Sequence, residues 1–476
     1  EKKLVTPFID KKHGICYIYD TFKVKRVMKK IGLLLCIVLC FSLLPTGAFA
    51  VTDAQRESIQ VGNGTVVYSD SGIYFNTPTT IVLYCDTQDE TQVKNCKAAI
   101  ERMLGLIEQT ERALSTDLAE SDVSRFNNPD NTSVTVSDIT VEVVKTAKKM
   151  YKVTDGYFNP CVYSLVDMYG FTPRFSNGST QTKMPYDDRS NFIDDEWIAF
   201  LQQYLDFDSV VLDETNRTLT KTTPSKEKSQ NGRSAKFNVK LDLGGIGKGY
   251  MIDRMAQIAE ELGLTKGYFS IGTSSMRLLQ SNKADGNWNI GVNHPRNTEL
   301  LATPYAVVNE LKNASVSTSG DYEKYRILDG KRYCHIIDAS SGKPLDTGIC
   351  TSSVFGGSAA EGDALSTALM VMGKERAVTF MTENAYVSEN ALRIMFVEEN
   401  GKRLDLYTNQ TQAGFTLKSS SVHIAGYVDN GVFVEVPYKD NTWLYGVITG
   451  VVAGGLIALA VVVAKKRKNR EMAHPR

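Results

Sequence analysis

Residues 241–253 read LDLGGIGKGYMID, a glycine-rich segment between a strand-like run and an amphipathic helical pattern. Four glycines in six positions allow a ligand to approach the backbone closely, and the N–H groups at the start of a helix attract anions. The segment is not a Walker A loop, because Gly249 stands where Ser or Thr must follow Lys248, and it is not G-x-G-x-x-G. Alone, it is equally consistent with phosphate binding and with an ordinary glycine-rich turn.

Outward from this segment, the hydrophobic periodicity predicts helices and strands without strict alternation. Such a mixture favours an α+β fold over a doubly wound sheet. Polar stretches at 172–192 and 222–236 are typical of surface insertions. The predicted helices cover 91–114, Ile139 to Thr154, and Asp363 to Glu383 with a break at Gly373; the predicted strands cover 73–85, 237–243, 267–271, 287–292, 332–338 and 391–398.

A second chemical motif is GDALSTAL at 362–369. Asp363 and Thr367 are four positions apart at the start of a predicted helix, so the carboxylate and the hydroxyl project on one face. Mg²⁺ accepts such oxygen ligands and takes its remaining ligands from phosphate and water. The alternative is an acidic residue that only favours the helix dipole, beside a solvated Thr367.

A third motif is YCHIIDASSGKP at 333–344, a strand that runs into a Gly/Pro turn. His335 is a candidate proton shuttle. A lone histidine at a strand end is more often structural, so this reading stays open. His294 and His423 have no better claim.

The two ends of the chain carry hydrophobic segments that predict export and membrane attachment. Residues 28–50 have the charged, apolar and small-residue regions of a signal peptide, after an upstream or non-native leader at 1–27. Residues 443–464 contain no charged side chain and are followed by a basic tail at 465–476, which predicts a transmembrane helix with a cytoplasmic end. The domain at 51–442 is therefore expected to be extracytoplasmic, on a single-pass membrane protein.

Charge and cysteine content narrow the functional classes further. The net charge is zero, but acidic side chains outnumber basic ones between residues 51 and 442. An acidic domain argues against nucleic acid as a partner, and it implies that a phosphorylated ligand needs a cation. The five scattered cysteines of this domain form neither a disulfide framework nor a C-x-x-C site, although one or two bridges are possible.

Taken together, and in this order, the motifs resemble those of the ApbE-type FAD:protein FMN transferases over about residues 72–400. The glycine segment is similar to that family's DLGGIAKGYAVD, and 363–369 to its DALATAL. Further similarities join 335–344 to HIIDPRTGYP, 317–322 to ATSGDY, 155–160 to GGAFDPT, and 114–127 to LSTY…SEISRFN. So many matches in the same order favour phosphate binding by the glycine segment over an ordinary turn. They also favour metal binding by Asp363 and Thr367 over an acidic residue that only favours the helix dipole.

The resemblance implies a single large T-fold-like domain with an FAD cleft. It further implies that FAD is split with Mg²⁺, that FMN passes to a Ser or Thr hydroxyl of a client protein as a phosphodiester, and that AMP leaves. Extracytoplasmic flavin-acceptor proteins of electron-transfer systems are the expected partners, with the membrane contacted through the C-terminal helix. An FAD pyrophosphatase and a non-catalytic FAD-scavenging protein remain alternatives.

The resemblance also assigns roles to individual residues. His335 and Asp363 are the expected catalytic residues, and the metal ligands are expected from Asp363, Thr367 and the backbone carbonyl of Met251. The expected FAD-binding residues are Asn76, Thr77, Asp117, Tyr157, Phe158, Asn159, Gly245, Lys248, His335 and Ile337.

The sequence departs from the family pattern at several of these positions. Asn159 stands where many members have Asp, and Asp117 where many have Tyr. Gly272 and Thr273 replace a Gly-Gly pair. Since the pair Asp363 and Thr367 is intact, the changes are expected to tune flavin affinity or client choice and not to abolish metal binding.

Overall fold

The computed structural model describes residues 57–61, 65–74, 77–86, 88–172, 195–230, 233–297, 303–328 and 330–438. The chain divides into two compact units, Glu1–Val434 and Glu435–Arg476, and the fold described below belongs to the first. The expected signal peptide at 28–50 and the expected transmembrane helix at 443–464 lie outside the described residues. Among the residues that are described, no helix is both long and apolar enough to cross a membrane.

The described helices and strands follow one another in a mixed order along the chain. The helices are α1 (Glu90–Leu114), α2 (Asp122–Asn127), α3 (Asp138–Val153), α4 (Tyr163–Met168), α5 (Asp195–Gln202), α6 (Gly244–Glu261), α7 (Ala359–Met372), α8 (Lys374–Glu383) and α9 (Ala385–Glu389). The strands are β1 (Glu57–Val61), β2 (Thr65–Tyr74), β3 (Thr77–Asp86), β4 (Ser133–Thr135), β5 (Val210–Asp213), β6 (Thr218–Lys221), β7 (Lys226–Gln230), β8 (Arg233–Phe237), β9 (Gly267–Ile271), β10 (Ser275–Leu278), β11 (Trp288–Val292), β12 (Ala306–Leu311), β13 (Ala314–Gly320), β14 (Tyr325–Leu328), β15 (Lys331–Cys334), β16 (Ile337–Asp338), β17 (Lys343–Pro344), β18 (Ile349–Phe355), β19 (Arg393–Asn400), β20 (Arg403–Thr408), β21 (Phe415–Leu417), β22 (Val422–Asp429) and β23 (Val432–Glu435).

Local capping explains where the principal helices begin and end. The Asp89 side chain accepts a hydrogen bond from the N–H of Gln92 at the start of α1. Ser137 caps α3 in the same way, and Ser358 caps α7. Each cap satisfies a backbone N–H that has no partner within its helix. Helix α7 ends at Gly373, whose φ of 75° separates it from α8.

The main sheet is large and mostly antiparallel. Its described strands lie in the order β1-β2-β3-β9-β10-β13-β18-β19-β20-β22-β23. The pairs from β1 to β20 are antiparallel, and β22 runs parallel to β20. A mostly antiparallel sheet with helices packed on it confirms the predicted mixture of α and β structure.

Apolar layers cover both faces of the main sheet. On one face, Ile81, Phe269 and Ile271 pack with side chains of α1 and α6. On the other face, side chains of β10, β13, β18 and β19 pack against a small sheet of β11, β12 and β21. A third and larger cluster joins α3, α4, α5 and α7. Helix α7 is thereby enclosed, with Asp363 its one buried charged residue.

The predicted strand at 237–243 is wrong, because β8 ends at Phe237 and residues 238–243 join no sheet. Their backbone groups find other partners. The Asn127 side chain accepts from the N–H of Leu241 and donates to its carbonyl, at 2.7 and 2.8 Å, and the N–H of Asp242 donates to Pro160. A side-chain amide therefore replaces the neighbouring strand that the apolar pattern suggested.

Other expectations are confirmed with small changes. The predicted helices at 91–114 and 139–154 correspond to α1 and α3. The predicted strand at 332–338 is two strands, β15 and β16, separated at His335. The insertion predicted at 222–236 contains the β7–β8 hairpin, whereas 173–194 lies outside the described residues. The five described cysteines are buried and unpaired.

Candidate functional site

The sequence pattern places the glycine-rich segment before a helix. In the structure the segment forms the first turns of that helix, α6. Gly244 and Gly245 are exposed, and the Asp242 side chain accepts a hydrogen bond from the N–H of Gly244 at 2.8 Å. At Gly249 the reason for glycine is the approach of α7: an added Cβ would lie 2.3 Å from the carbonyl oxygen of Ala359. The segment is thus both an open helix start and a close helix crossing.

Asp363 lies at this crossing and is buried with its hydrogen bonds satisfied. Its Oδ2 accepts from the N–H of Gly249 at 2.7 Å, and the Ser275 hydroxyl lies 2.8 and 2.9 Å from its two oxygens. Burial raises the pKa of Asp363 to about 6, against the lowering effect of the Lys248 charge and of hydrogen bonds from Ser317, Ser275 and Gly249. The carboxylate is therefore mostly ionised at neutral pH while held in a poorly solvated place.

Thr367 lies one turn further along α7, on the same face as Asp363. Its hydroxyl donates to the Asp363 carbonyl oxygen at 3.2 Å and lies 3.0 Å from the Ser319 hydroxyl. The structure places the two residues one turn apart on α7, and their joint role at a metal stays a prediction. Among the described residues, no group of three or more His, Cys, Asp and Glu is arranged for a metal ion.

The donor set at this point fits Mg²⁺, since it consists of hard oxygen atoms and one carboxylate, and Mg²⁺ usually takes its other ligands from phosphate and water. The expected third contributor, Met251, is fully buried, and its side chain packs between α1 and the sheet. Its backbone carbonyl lies in the interior of α6, so the role of this carbonyl as a metal ligand stays a prediction.

His335 stands between β15 and β16, held by one backbone carbonyl. Its N–H donates to the Lys324 carbonyl oxygen at 3.0 Å, and its Nδ1 lies 3.2 Å from the same oxygen. Because a carbonyl only accepts, Nδ1 carries the proton and Nε2 keeps its lone pair. Burial and the charges of Lys324 and Lys248 lower the pKa of His335 to about 3. The imidazole is neutral at physiological pH, as a general base requires.

Two lysines place positive charge around these groups. The charge of Lys248 acts on both Asp363 and His335. Burial lowers the pKa of Lys324, and the charges of Asp242, Lys248, Glu323 and Asp117 act on it as well. Lys248 and Asp117 were predicted for this site, whereas Lys324 was missed. Its place just after the SGDY motif was the available signal.

The side chains of residues 157–159 lie in different surroundings. The Tyr157 hydroxyl accepts from Arg376 Nη1 at 2.7 Å, while Phe158 is buried, 3.5 Å from where a Cβ on Gly245 would lie. The Asn159 amide donates to Leu205 at 2.7 Å and its oxygen accepts from the N–H of Cys161 at 2.8 Å. Phe158 therefore borders the open start of α6, and Asn159 has both polar atoms engaged by backbone.

Two further predicted positions begin strands, Thr77 in β3 and Ile337 in β16. Thr77 opens β3, and its hydroxyl would lie 2.7 Å from a Cβ on Gly272. Nearby, the Ser274 hydroxyl is buried and has no hydrogen-bond partner within the described part of the chain. Ile337 is buried in the large cluster, and Asn76 lies outside the described residues.

Known proteins resemble this chain in sequence over most of the described residues. The sequence model of the ApbE family matches residues 75–389. The FAD:protein FMN transferase of Haemophilus influenzae is 29% identical over 286 residues, which are 60% of this chain and 75% of that protein. The enzyme of the same name from Treponema pallidum is 27% identical over 296 residues, 60% of this chain and 74% of that protein.

Solved structures show the same fold. The flavin transferase ApbE from Vibrio cholerae superposes with a TM-score of 0.57 at 25% identity, over 72% of this chain and 96% of that one. The ApbE protein from Thermotoga maritima superposes with a TM-score of 0.54 at 28% identity, over 70% of this chain and 94% of that one. The elements that carry the site fall within the matched residues 75–389.

Proposed function

This chain belongs to the ApbE family of flavin transferases, and from that premise we propose that it moves FMN from FAD to a protein. The acceptor is a Ser or Thr hydroxyl of a client, the product is a phosphodiester, and AMP is released. The observation that supports this most strongly is the placement of Asp363 with Thr367 beside Lys248, whose charge also reaches His335. One carboxylate, one base and one cation that interact electrostatically suit transfer at a pyrophosphate.

Asp363 and Thr367 would hold Mg²⁺ in this proposal, with a backbone carbonyl of α6. The ion supplies charge neutralisation at the pyrophosphate and at the leaving AMP oxygen. The excess of acidic over basic side chains between residues 51 and 442 also favours a cation beside a phosphorylated substrate.

The residues of the chain divide the chemistry as follows. Nε2 of His335 accepts the proton of the client hydroxyl. The hydroxyl oxygen bonds to the FMN phosphorus, and the bond from that phosphorus to the AMP oxygen breaks. The Lys324 carbonyl fixes the imidazole so that Nε2 and not Nδ1 faces the reaction. Lys248 and Lys324 stabilise the negative charge of the phosphates.

The experiment that tests this function incubates the purified protein with FAD, Mg²⁺ and a candidate acceptor domain, and follows AMP release and the acceptor's mass. A gain of one FMN by the acceptor supports transfer. Release of AMP with an unmodified acceptor would instead establish an FAD pyrophosphatase. Tight FAD binding without either product would establish a scavenging protein.

We also propose that the reaction takes place outside the cytoplasm, next to membrane-associated electron-transfer clients. The support is the sequence of 28–50 and 443–464, with its basic stop at 465–470. Protease treatment of intact cells tests this placement. Loss of the domain while the cells remain intact is expected, and protection until lysis would contradict it.

A further inference from the structure

Asp253 joins α6 to the beginning of α7. Its Oδ2 accepts from the Ser358 hydroxyl at 2.6 Å and from the N–H of Ala360 at 3.0 Å, and its Oδ1 accepts from the N–H of Ala359 at 2.8 Å. The helix's own cap, Ser358, serves only the N–H of Glu361. A carboxylate from another helix therefore satisfies the first two N–H groups of α7.

The start of α7 depends on this carboxylate because its first two N–H groups are buried and bonded to it. Ala359 and Ala360 are buried, so water does not readily replace Asp253 at their N–H groups. A buried N–H without a partner is costly, and a negative charge at a helix start is favourable. Loss of the Asp253 carboxylate should thus shift or loosen the first turn of α7.

The same two helices meet again at the site. Gly249 lies four residues before Asp253, one turn earlier on α6, and its N–H donates to the Asp363 carboxylate. Two attachments one turn apart fix how far α7 lies along its axis relative to α6. That distance sets where the oxygens of Asp363 and Thr367 stand.

We propose that Asp253 is a positioning residue for the metal-binding pair Asp363 and Thr367, an inference that rests on the function proposed above. It touches neither ligand nor metal itself. It acts by holding the helix that carries the pair, and its contribution is to metal affinity.

The test compares Asp253→Asn with the matched cap variant Asp89→Asn, using Mn²⁺ binding measured by electron paramagnetic resonance. Mn²⁺ accepts the same oxygen ligands as Mg²⁺. Asp89 also caps a helix, α1, whose opposite end lies beside Gly247. At 1.5 Å per residue, that end is about 37 Å from Asp89. Both variants are expected to lower the melting temperature, and only Asp253→Asn should weaken Mn²⁺ binding, by about tenfold. The same variant should raise the Mg²⁺ concentration needed for half-maximal AMP release.

Equal Mn²⁺ affinity in folded Asp253→Asn and wild type would overturn the inference while leaving the proposed function intact. Failure of the wild type to bind Mn²⁺ would overturn the metal pair, and the inference with it. If Asp253→Asn does not fold, Asp253→Glu carries the test, since it keeps the charge but moves the carboxylate one methylene further along the side chain and leaves the Ser358 cap in place. Weaker Mn²⁺ binding by that variant supports the positioning role, and unchanged binding contradicts it.

Discussion

At the scale of single residues, the chemistry rests on a buried carboxylate and a neutral imidazole whose environments differ. Asp363 receives N–H and O–H donors, so its ionised form is stabilised although burial raises its pKa. His335 is held by a carbonyl and faces positive charge, so its neutral form is favoured. The pair can supply a metal ligand and a base at the same pH.

Replacement of Asp363 by Asn or Ala should reduce AMP release by about a hundredfold or more, since removing the carboxylate costs several kcal/mol of charge stabilisation. Steady-state assays at saturating FAD and Mg²⁺ measure this. Ser275→Ala is the control, because it removes a donor to the carboxylate and keeps the charge. Full activity of Asp363→Ala would refute the metal assignment.

His335→Gln should slow transfer by about 10²–10⁴-fold, the usual contribution of a general base. Because the pKa of His335 is lowered to about 3, the wild-type rate should show no inflection near pH 6.5 from this residue. The rate of acceptor labelling between pH 5 and 8 checks both statements. A histidine inflection near 6.5 that disappears in His335→Gln would contradict the lowered pKa.

The same lowered pKa predicts how stability depends on pH. Between about pH 3 and 6.5 the unfolded chain binds a proton at His335 that the folded chain does not, so the free energy of unfolding rises with pH. The contribution is complete above pH 6.5 and is lost on acidification. Wild type should therefore lose more stability than His335→Gln between pH 7 and 5, by at most about 1.4 kcal/mol per unit, in urea titrations. Parallel losses in the two proteins would count against this.

Sequence reasoning found the site residues that lie close together along the chain. Asp363 and Thr367 follow from helical spacing, and His335 from its motif. Ser275 could not be found, because it reaches the site through strand order, whereas Lys324 was missed although it closely follows the SGDY motif. Asn159 matched a family motif, but its side chain is engaged by the backbone of 161 and 205.

At the scale of elements, the crossing of α6 and α7 determines the site. Long periodic segments such as α1 and α3 could be predicted, since each has an apolar face that packs on a hydrophobic core. The segment at 238–243 could not, because its partner is the Asn127 side chain and not a strand. The need for glycine at 249 could not be predicted either, because it arises from the close approach of α7.

Gly249→Ala should destabilise the fold by about 1–3 kcal/mol, as overpacking at a close contact does. The matched control is Gly105→Ala in α1, where an added Cβ meets nothing within 4 Å. That variant should be neutral or stabilising by up to about 1 kcal/mol, because alanine favours helix. Thermal unfolding of the two proteins separates the effects. Equal stability of both would contradict the described crossing.

At the scale of the whole molecule, the site depends on one unit that extends to Val434. The sheet has apolar layers on both faces, and the described residues predicted for the site lie between Thr77 and Thr367. The fold class and the family could be predicted from the sequence, because the motifs are collinear. The order of strands in the sheet could not, because it arises from long-range pairing.

A chain of residues 51–438 should release AMP from FAD at the rate of the full-length protein when the acceptor is soluble. The physical reason is that the elements holding Asp363 and His335 are complete within this range. Side-by-side assays of the two chains measure it. Loss of activity in a shortened protein that melts at an unchanged temperature would show that the C-terminal residues take part in the reaction.

The contact between Gly249 and Ala359 also restricts how this sequence can evolve. Every side chain larger than hydrogen meets the backbone of a neighbouring helix there, and no adjustment of a rotamer relieves that contact. Compensation would need a coordinated shift of a whole helix, which single substitutions cannot supply. In a random library selected for FMN transfer, position 249 should therefore return glycine alone, while position 105 accepts many residues.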